Sequence, residues 1–71
     1  VKIVLNGEEL ELDKELTIEE LLKKEDVDMP EMVSVELNGE ILVREEFKDQ
    51  IVKGGDKVEF LYFMGGGTSE F

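Results

Sequence analysis

The 71-residue sequence has no cysteine and no histidine. Disulfides, thiolate chemistry and the usual transition-metal sites are excluded, as is a nucleophile of its own served by a histidine base. Lack of cysteine also fits a reducing compartment. Basic residues are few: Arg44 and seven scattered lysines make 8, against 19 acidic residues, for a formal net charge of −11. No basic patch can be assembled from them, which disfavours nucleic acid and anionic membrane as partners. An acidic surface of this kind calls for basic partners, or for none and solubility alone. Apolar runs are short. None approaches the roughly 20 residues of a membrane span, and no signal-peptide pattern opens the chain, so the expected location is the cytoplasm.

What is present is enough for one small domain. A chain of this length buries only about 60% of the surface that its unfolded form exposes, so the core must be single. Apolar residues make up 41%, and the 38% that are charged are mixed along the chain rather than blocked. That composition describes a folded domain, not a disordered one.

Lys2-Ile3-Val4-Leu5 is β-rich, and Asn6-Gly7 after it is the strongest short-range hairpin signal. In Glu8 to Asp13, Leu10 and Leu12 alternate with Glu9 and Glu11, as a half-buried strand requires. A helix start follows. Thr17 is placed as N-cap and Glu20 as its capping-box partner, with Leu16 and Leu21 at staple positions. Ile18, Leu21 and Leu22 form one apolar stripe, which predicts a short helix from Ile18 to Glu25. Asp26 to Glu31 is a loop, closed to helix by Pro30. Its carboxylates lack the glycine and closing glutamate of a calcium loop, so no metal is expected. Met32 to Leu37 reads as a third strand, Asn38-Gly39 as a second tight turn, and Glu40 to Val43 as a short fourth strand. Arg44 to Gln50 is polar, with Phe47 as the anchor of a helical turn. Ile51-Val52 is apolar again, Gly54-Gly55-Asp56 turns the chain, and Lys57 to Phe63 is the fifth strand. Val58 and Phe60 then point toward the helix. Leu61 and Phe63 face outward, or Tyr62 and Met64 beyond any bulge.

The apolar run Phe60-Leu61-Tyr62-Phe63-Met64 stops at Gly65-Gly66-Gly67. A chain without side chains can thread a narrow channel and bring a carbonyl close to another protein's reactive atoms. The alternative is a tail that only follows the last strand. The expected organisation is a domain over residues 1–64 and a glycine tail with extension over residues 65–71. Outward apolar residues beside that tail, in an acidic molecule, point to a partner surface made of Leu61, Phe63, Met64 and Gly65.

In this order and at these separations, the pieces resemble the sulfur carrier protein ThiS family within the ubiquitin-like β-grasp group. They are the Asn6-Gly7 hairpin, Leu16-Thr17-Ile18-Glu19-Glu20-Leu21-Leu22, Val33 to Ile41, Arg44 with Phe47, Gly55 to Glu59, and the glycines. The resemblance covers Val1 to Gly67. It implies an α+β fold: a mixed sheet of about five strands with one main helix on one face. It also implies a carrier rather than an enzyme. An ATP-using, ubiquitin-activating-type (E1-like) partner adenylates the C-terminal glycine carboxylate, and a sulfur donor converts it to a thiocarboxylate. A thiazole synthase, or another acceptor enzyme, receives the sulfur. No cofactor is bound by the carrier; ATP is used by the partner. Mapped here, the acceptor of adenylate and sulfur is Gly67, approached through Gly66 and Gly65.

The chain departs from the family by continuing through Thr68, Ser69, Glu70 and Phe71, which leaves Gly67 with an amide. Three explanations stand: a protease trims the four residues, the tail is an added sequence, or this relative no longer carries sulfur. Besides thiamin, amino-acid or molybdopterin synthesis could receive the sulfur. Outside sulfur carriage, the alternative is a non-covalent ubiquitin-like binding module anchored by Leu61 and Phe63. Acid–base catalysis by Glu45 and Glu46 is the weakest reading, since no paired, environment-separated acids are evident.

Overall fold

The computed structural model describes residues 1–28 and 30–62. Its elements run β1 (Lys2–Leu5), β2 (Glu8–Glu11), β3 (Leu16–Thr17), α1 (Ile18–Lys24), β4 (Val33–Leu37), β5 (Glu40–Ile41), β6 (Ile51–Val52) and β7 (Lys57–Tyr62), with 3-10 turns at Pro30–Met32 and Arg44–Glu46.

Both Asn-Gly pairs turn the chain as their chemistry requires. Asn6 and Gly7 have φ of +52° and +85°, and Asn38 and Gly39 have +52° and +89°. These are the left-handed values a type I′ turn needs. The first turn sets the β1–β2 register, from Lys2 beside Glu11 to Leu5 beside Glu8. The second sets β4 against β5, with Leu37 beside Glu40.

Helix α1 starts where the capping box places it. Thr17 Oγ1 accepts the Glu20 N–H at 3.1 Å, and the Glu20 carboxylate accepts the Thr17 N–H at 2.9 Å. Two further amides of the first turn go to the 47–50 segment: Ile18 N–H donates to Gln50 C=O at 2.9 Å and Glu19 N–H to Phe47 C=O at 3.0 Å. The orphan donors of this helix start are thus taken up by protein. Glu25 closes the helix.

The main sheet has the order β2-β1-β7-β4-β5. Its middle strand, β7, lies parallel to β1 and antiparallel to β4. One face carries the apolar alternation and receives the helix. Ile3, Leu5, Val33, Val35, Val58 and Phe60 are buried there with Ile18, Leu21 and Leu22, and Leu12, Phe47 and Val52 close the rim. This is the mixed sheet with one helix that the sequence predicts.

Four boundaries differ from expectation. Ile51–Val52 is a strand, paired with Leu16–Thr17 in a second, two-stranded sheet. Two residues are too few to show a period, so only the long-range pairing defines them. The third strand begins at Val33 because Met32 completes the Pro30 turn. The fourth ends at Ile41, because Val43 caps the following turn and gives its N–H to the Glu46 carboxylate at 3.2 Å. The second strand stops at Glu11 rather than Asp13. The fifth strand is described through Tyr62; Phe63 and the expected 64/65 domain boundary lie outside the described residues. Among the described residues, no helix is long and apolar enough to cross a membrane.

Leu21 is fully buried under the sheet, whereas Thr17 contributes one cap. Urea unfolding should show Leu21→Ala losing about 2–5 kcal/mol and Thr17→Ala about 1 kcal/mol. A smaller loss for Leu21→Ala than for Thr17→Ala would contradict this core.

Candidate functional site

The end of β7 is the candidate site, because the glycine segment follows it in sequence. Val58 is fully buried and Phe60 is 9% exposed, both on the helix side as expected. Leu61 lies on the opposite face and is half-buried. Tyr62 shares the parity of Phe60 but is 47% exposed, beside Val33 at the rim. The open face of the sheet therefore carries Val4, Lys57, Glu59 and Leu61, with Ser34 beside Leu61 and Glu36 beside Glu59. Ile41 adjoins Glu36 and is 56% exposed. Glu36 and Glu59 are like charges directly opposed across two strands, an unfavourable pair.

Three polar side chains fasten β7 and its neighbour. Asn6 Oδ1 accepts the Phe60 N–H at 2.8 Å, and the Asn6 N–H donates to Val58 C=O at 2.9 Å. The carboxamide takes over one rung where β1 has already ended. Asn38 does the same at the other end of β7. Its Oδ1 accepts the Lys57 N–H at 2.9 Å, and its Nδ2 donates to the Asp56 carboxylate at 3.1 Å. Arg44 donates to the carbonyls of Pro30, Glu31 and Val33 at 2.9, 3.0 and 2.8 Å, with its guanidinium 5.1 Å from the Phe47 ring centroid. A cation over an aromatic face and three carbonyls is a strong set of partners for a planar fork of donors. It also covers the outer edge of β4, where Leu42 N–H takes the Val35 carbonyl at 2.9 Å.

Beside Arg44 lies a groove of about 600 Å³, floored by Leu22, Val27, Pro30 and Phe47. Glu45 lines it, while the Glu46 carboxylate is engaged in capping Val43. The two carboxylates therefore do different things and form no acid–base pair. Among the described residues, no group of three or more acidic side chains is placed to hold a metal ion.

Of the residues singled out from the sequence, Leu61 is placed on the open face. Phe63, Met64, Gly65, Gly66, Gly67, Thr68, Ser69, Glu70 and Phe71 lie outside the described residues. The roles of Asn6, Asn38 and Arg44 in holding β7 and β4 were missed. Asn-Gly signals the turn; the signal for a second role was that asparagine, not aspartate or glycine, stands at both turns.

Comparison with known proteins gives concordant results. A model of the ThiS family matches residues 3–67. The crystal structure of a thiamine biosynthesis protein (ThiS) from Geobacter metallireducens superposes with a TM-score of 0.87 at 49% identity, covering 94% of this chain and 100% of that one. A solution structure of a thiamine biosynthesis protein from the same organism gives 0.78 at 48% identity, covering 100% of this chain and 94% of that one. A thiazole synthase of Paramagnetospirillum magneticum is 39% identical over 70 residues, or 99% of this chain. The chain spans 21% of that relative's length.

The Glu36–Glu59 pair yields a test of the open face. Glu36→Lys should stabilise the protein by about 0.5 kcal/mol in urea unfolding at low salt, by replacing a repulsive cross-strand pair with an attractive one. The gain should shrink at 1 M salt, where the Debye length is about 3 Å. A loss of stability at low salt would contradict the register.

Proposed function

The chain belongs to the ThiS family, and on that footing we propose that it is a sulfur carrier for thiamine biosynthesis, a co-substrate rather than an enzyme. A protease first removes Thr68 to Phe71, which frees the carboxylate of Gly67. On a ubiquitin-activating-type enzyme, a carboxylate oxygen attacks the α-phosphorus of ATP and pyrophosphate leaves. The product is an acyl adenylate, a mixed anhydride with a good leaving group. Sulfide-level sulfur (hydrosulfide) from a donor then attacks the carbonyl carbon, AMP leaves with the electron pair of the C–O bond, a proton is lost, and a thiocarboxylate results. A thiazole synthase takes that sulfur.

One observation carries this reading. The strand that precedes Gly65-Gly66-Gly67 in sequence is the middle strand of the sheet, flanked by β1 at its start and by β4 along its described length to Tyr62. The sheet holds the chain as far as Tyr62, and the glycines bear no side chain to obstruct attack at the last carbonyl. That a protein called a thiazole synthase contains a stretch similar to nearly all of this chain supports the acceptor. The family match running to Gly67 supports the register of the reactive carboxylate. Leu61, on the open face and four residues before Gly65 in sequence, is the anchor for the activating partner.

ATP–pyrophosphate exchange with the adenylating enzyme of the source organism tests the proposal. A chain ending at Gly67 should support exchange, and one ending at Gly65 should not. Leu61→Asp in the chain ending at Gly67 should raise KM about tenfold, the loss of roughly 1.4 kcal/mol of binding. Undiminished exchange by the chain ending at Gly65 would contradict the carrier role.

A further inference from the structure

Asn6 is one residue past the end of β1, on the exposed tip of a hairpin, yet its side chain reaches a residue 54 positions away. A type I′ turn needs positive φ at this position, and glycine satisfies that need as well as asparagine does. The turn alone does not require the carboxamide. Its location does. Phe60 N–H points toward β1, and β1 has no residue left to receive it. Asn6 Oδ1 supplies the missing acceptor at 2.8 Å. On the other flank of β7, Val35 C=O points outward to Leu42 and Val33 C=O points outward to Arg44. Alternation along an antiparallel pair then assigns the β4–β7 bonds to Ser34 with Leu61 and Glu36 with Glu59. Phe60 is thus the last described residue of β7 held from the β1 side, and Asn6 holds it.

We infer that Asn6 is a positioning residue for the C-terminal segment: its carboxamide holds the β1 side of β7 at Phe60, in the strand from which the chain runs on toward the glycines. The inference rests on the carrier reading for its consequence, since the position of the tail matters only if the tail reacts elsewhere. Fixing the origin of a short tether narrows the volume its end explores and raises its effective concentration in a partner's site. Leu61 contributes to docking and hence to KM. Asn6 does not contact a docked partner through the bond described, so its loss falls on kcat.

Asn6→Gly and Asn6→Asp, each in the chain ending at Gly67, separate the two roles of the residue. Asn6→Gly keeps the left-handed turn and the backbone bond to Val58 and removes only the carboxamide. Asn6→Asp keeps an acceptor oxygen and tolerates the same φ. Native-state hydrogen exchange and steady-state adenylation are read on both. In Asn6→Gly the Phe60 amide should exchange about tenfold faster relative to amides of α1, the effect of one lost hydrogen bond. Its adenylation kcat should fall about three- to tenfold with KM within about twofold, as expected for a misplaced reacting group. Asn6→Asp should restore both. Selective loss of Phe60 protection with kcat unchanged would overturn the inference, because the bond would then be structural only. Equal loss of kcat in both variants, or Phe60 protection unchanged in Asn6→Gly, would overturn it as well. If the unsubstituted chain ending at Gly67 is not adenylated, the carrier reading itself fails. The exchange data then still decide whether Asn6 holds the end of β7.

Discussion

The parallel pairing of the last strand with the first is the contact on which the rest of the structure depends. Val4 beside Lys57 and Leu5 beside Val58 join the two ends of the chain in the centre of the sheet. Every other element lies in the connection between them. The five-stranded sheet cannot close until β7 arrives, so it is built on a long-range contact, an arrangement that favours cooperative and comparatively slow folding. The start of β7 is paired on both sides, and its end, through Tyr62, is paired with β4 and held on the β1 side by the Asn6 side chain.

The remaining chemistry protects that centre. β4 is shielded on its outer side by Leu42 and by the Arg44 guanidinium, which acts as a side-chain substitute for a missing strand partner. At the opposite edge, β2 is mostly glutamate, with Lys2 reaching Glu9 at 3.8 Å. Charged edges resist pairing with other chains. Among the described residues the core holds no buried polar or charged side chain. Specificity must then come from register, turns and the polar fasteners at the strand ends rather than from a buried network. The open face holds an unfavourable glutamate pair next to Leu61 and Ile41, so apolar anchors there sit in a negative field that suits a partner with basic surroundings.

Much of this was legible in the sequence because it was local. The Asn-Gly turns, the Thr17–Glu20 box and the Ile18/Leu21/Leu22 stripe each need only a few neighbouring residues to act, and each occurs where its pattern places it. The burial of Val58 and Phe60 followed from alternation. What could not be read was long-range or short. The β3–β6 sheet consists of two-residue strands whose identity exists only in pairing. Met32, Leu42 and Val43 carry β-prone side chains, but a proline turn on one side and a cap on the other outweigh that propensity. The bonds of Asn6 to Phe60, Asn38 to Lys57 and Arg44 to Val33 span 54, 19 and 11 positions. No local pattern announces them. The glycine segment, the reactive end of the proposed carrier, was legible only as composition and family resemblance.

The most direct test of the central claim is the intact mass of the protein after incubation with ATP and a sulfur donor in an extract of its source organism. The account predicts loss of Thr68 to Phe71, followed by the mass gain of one carboxylate oxygen replaced by sulfur. An unchanged mass, in an extract that converts a control carrier, would contradict it.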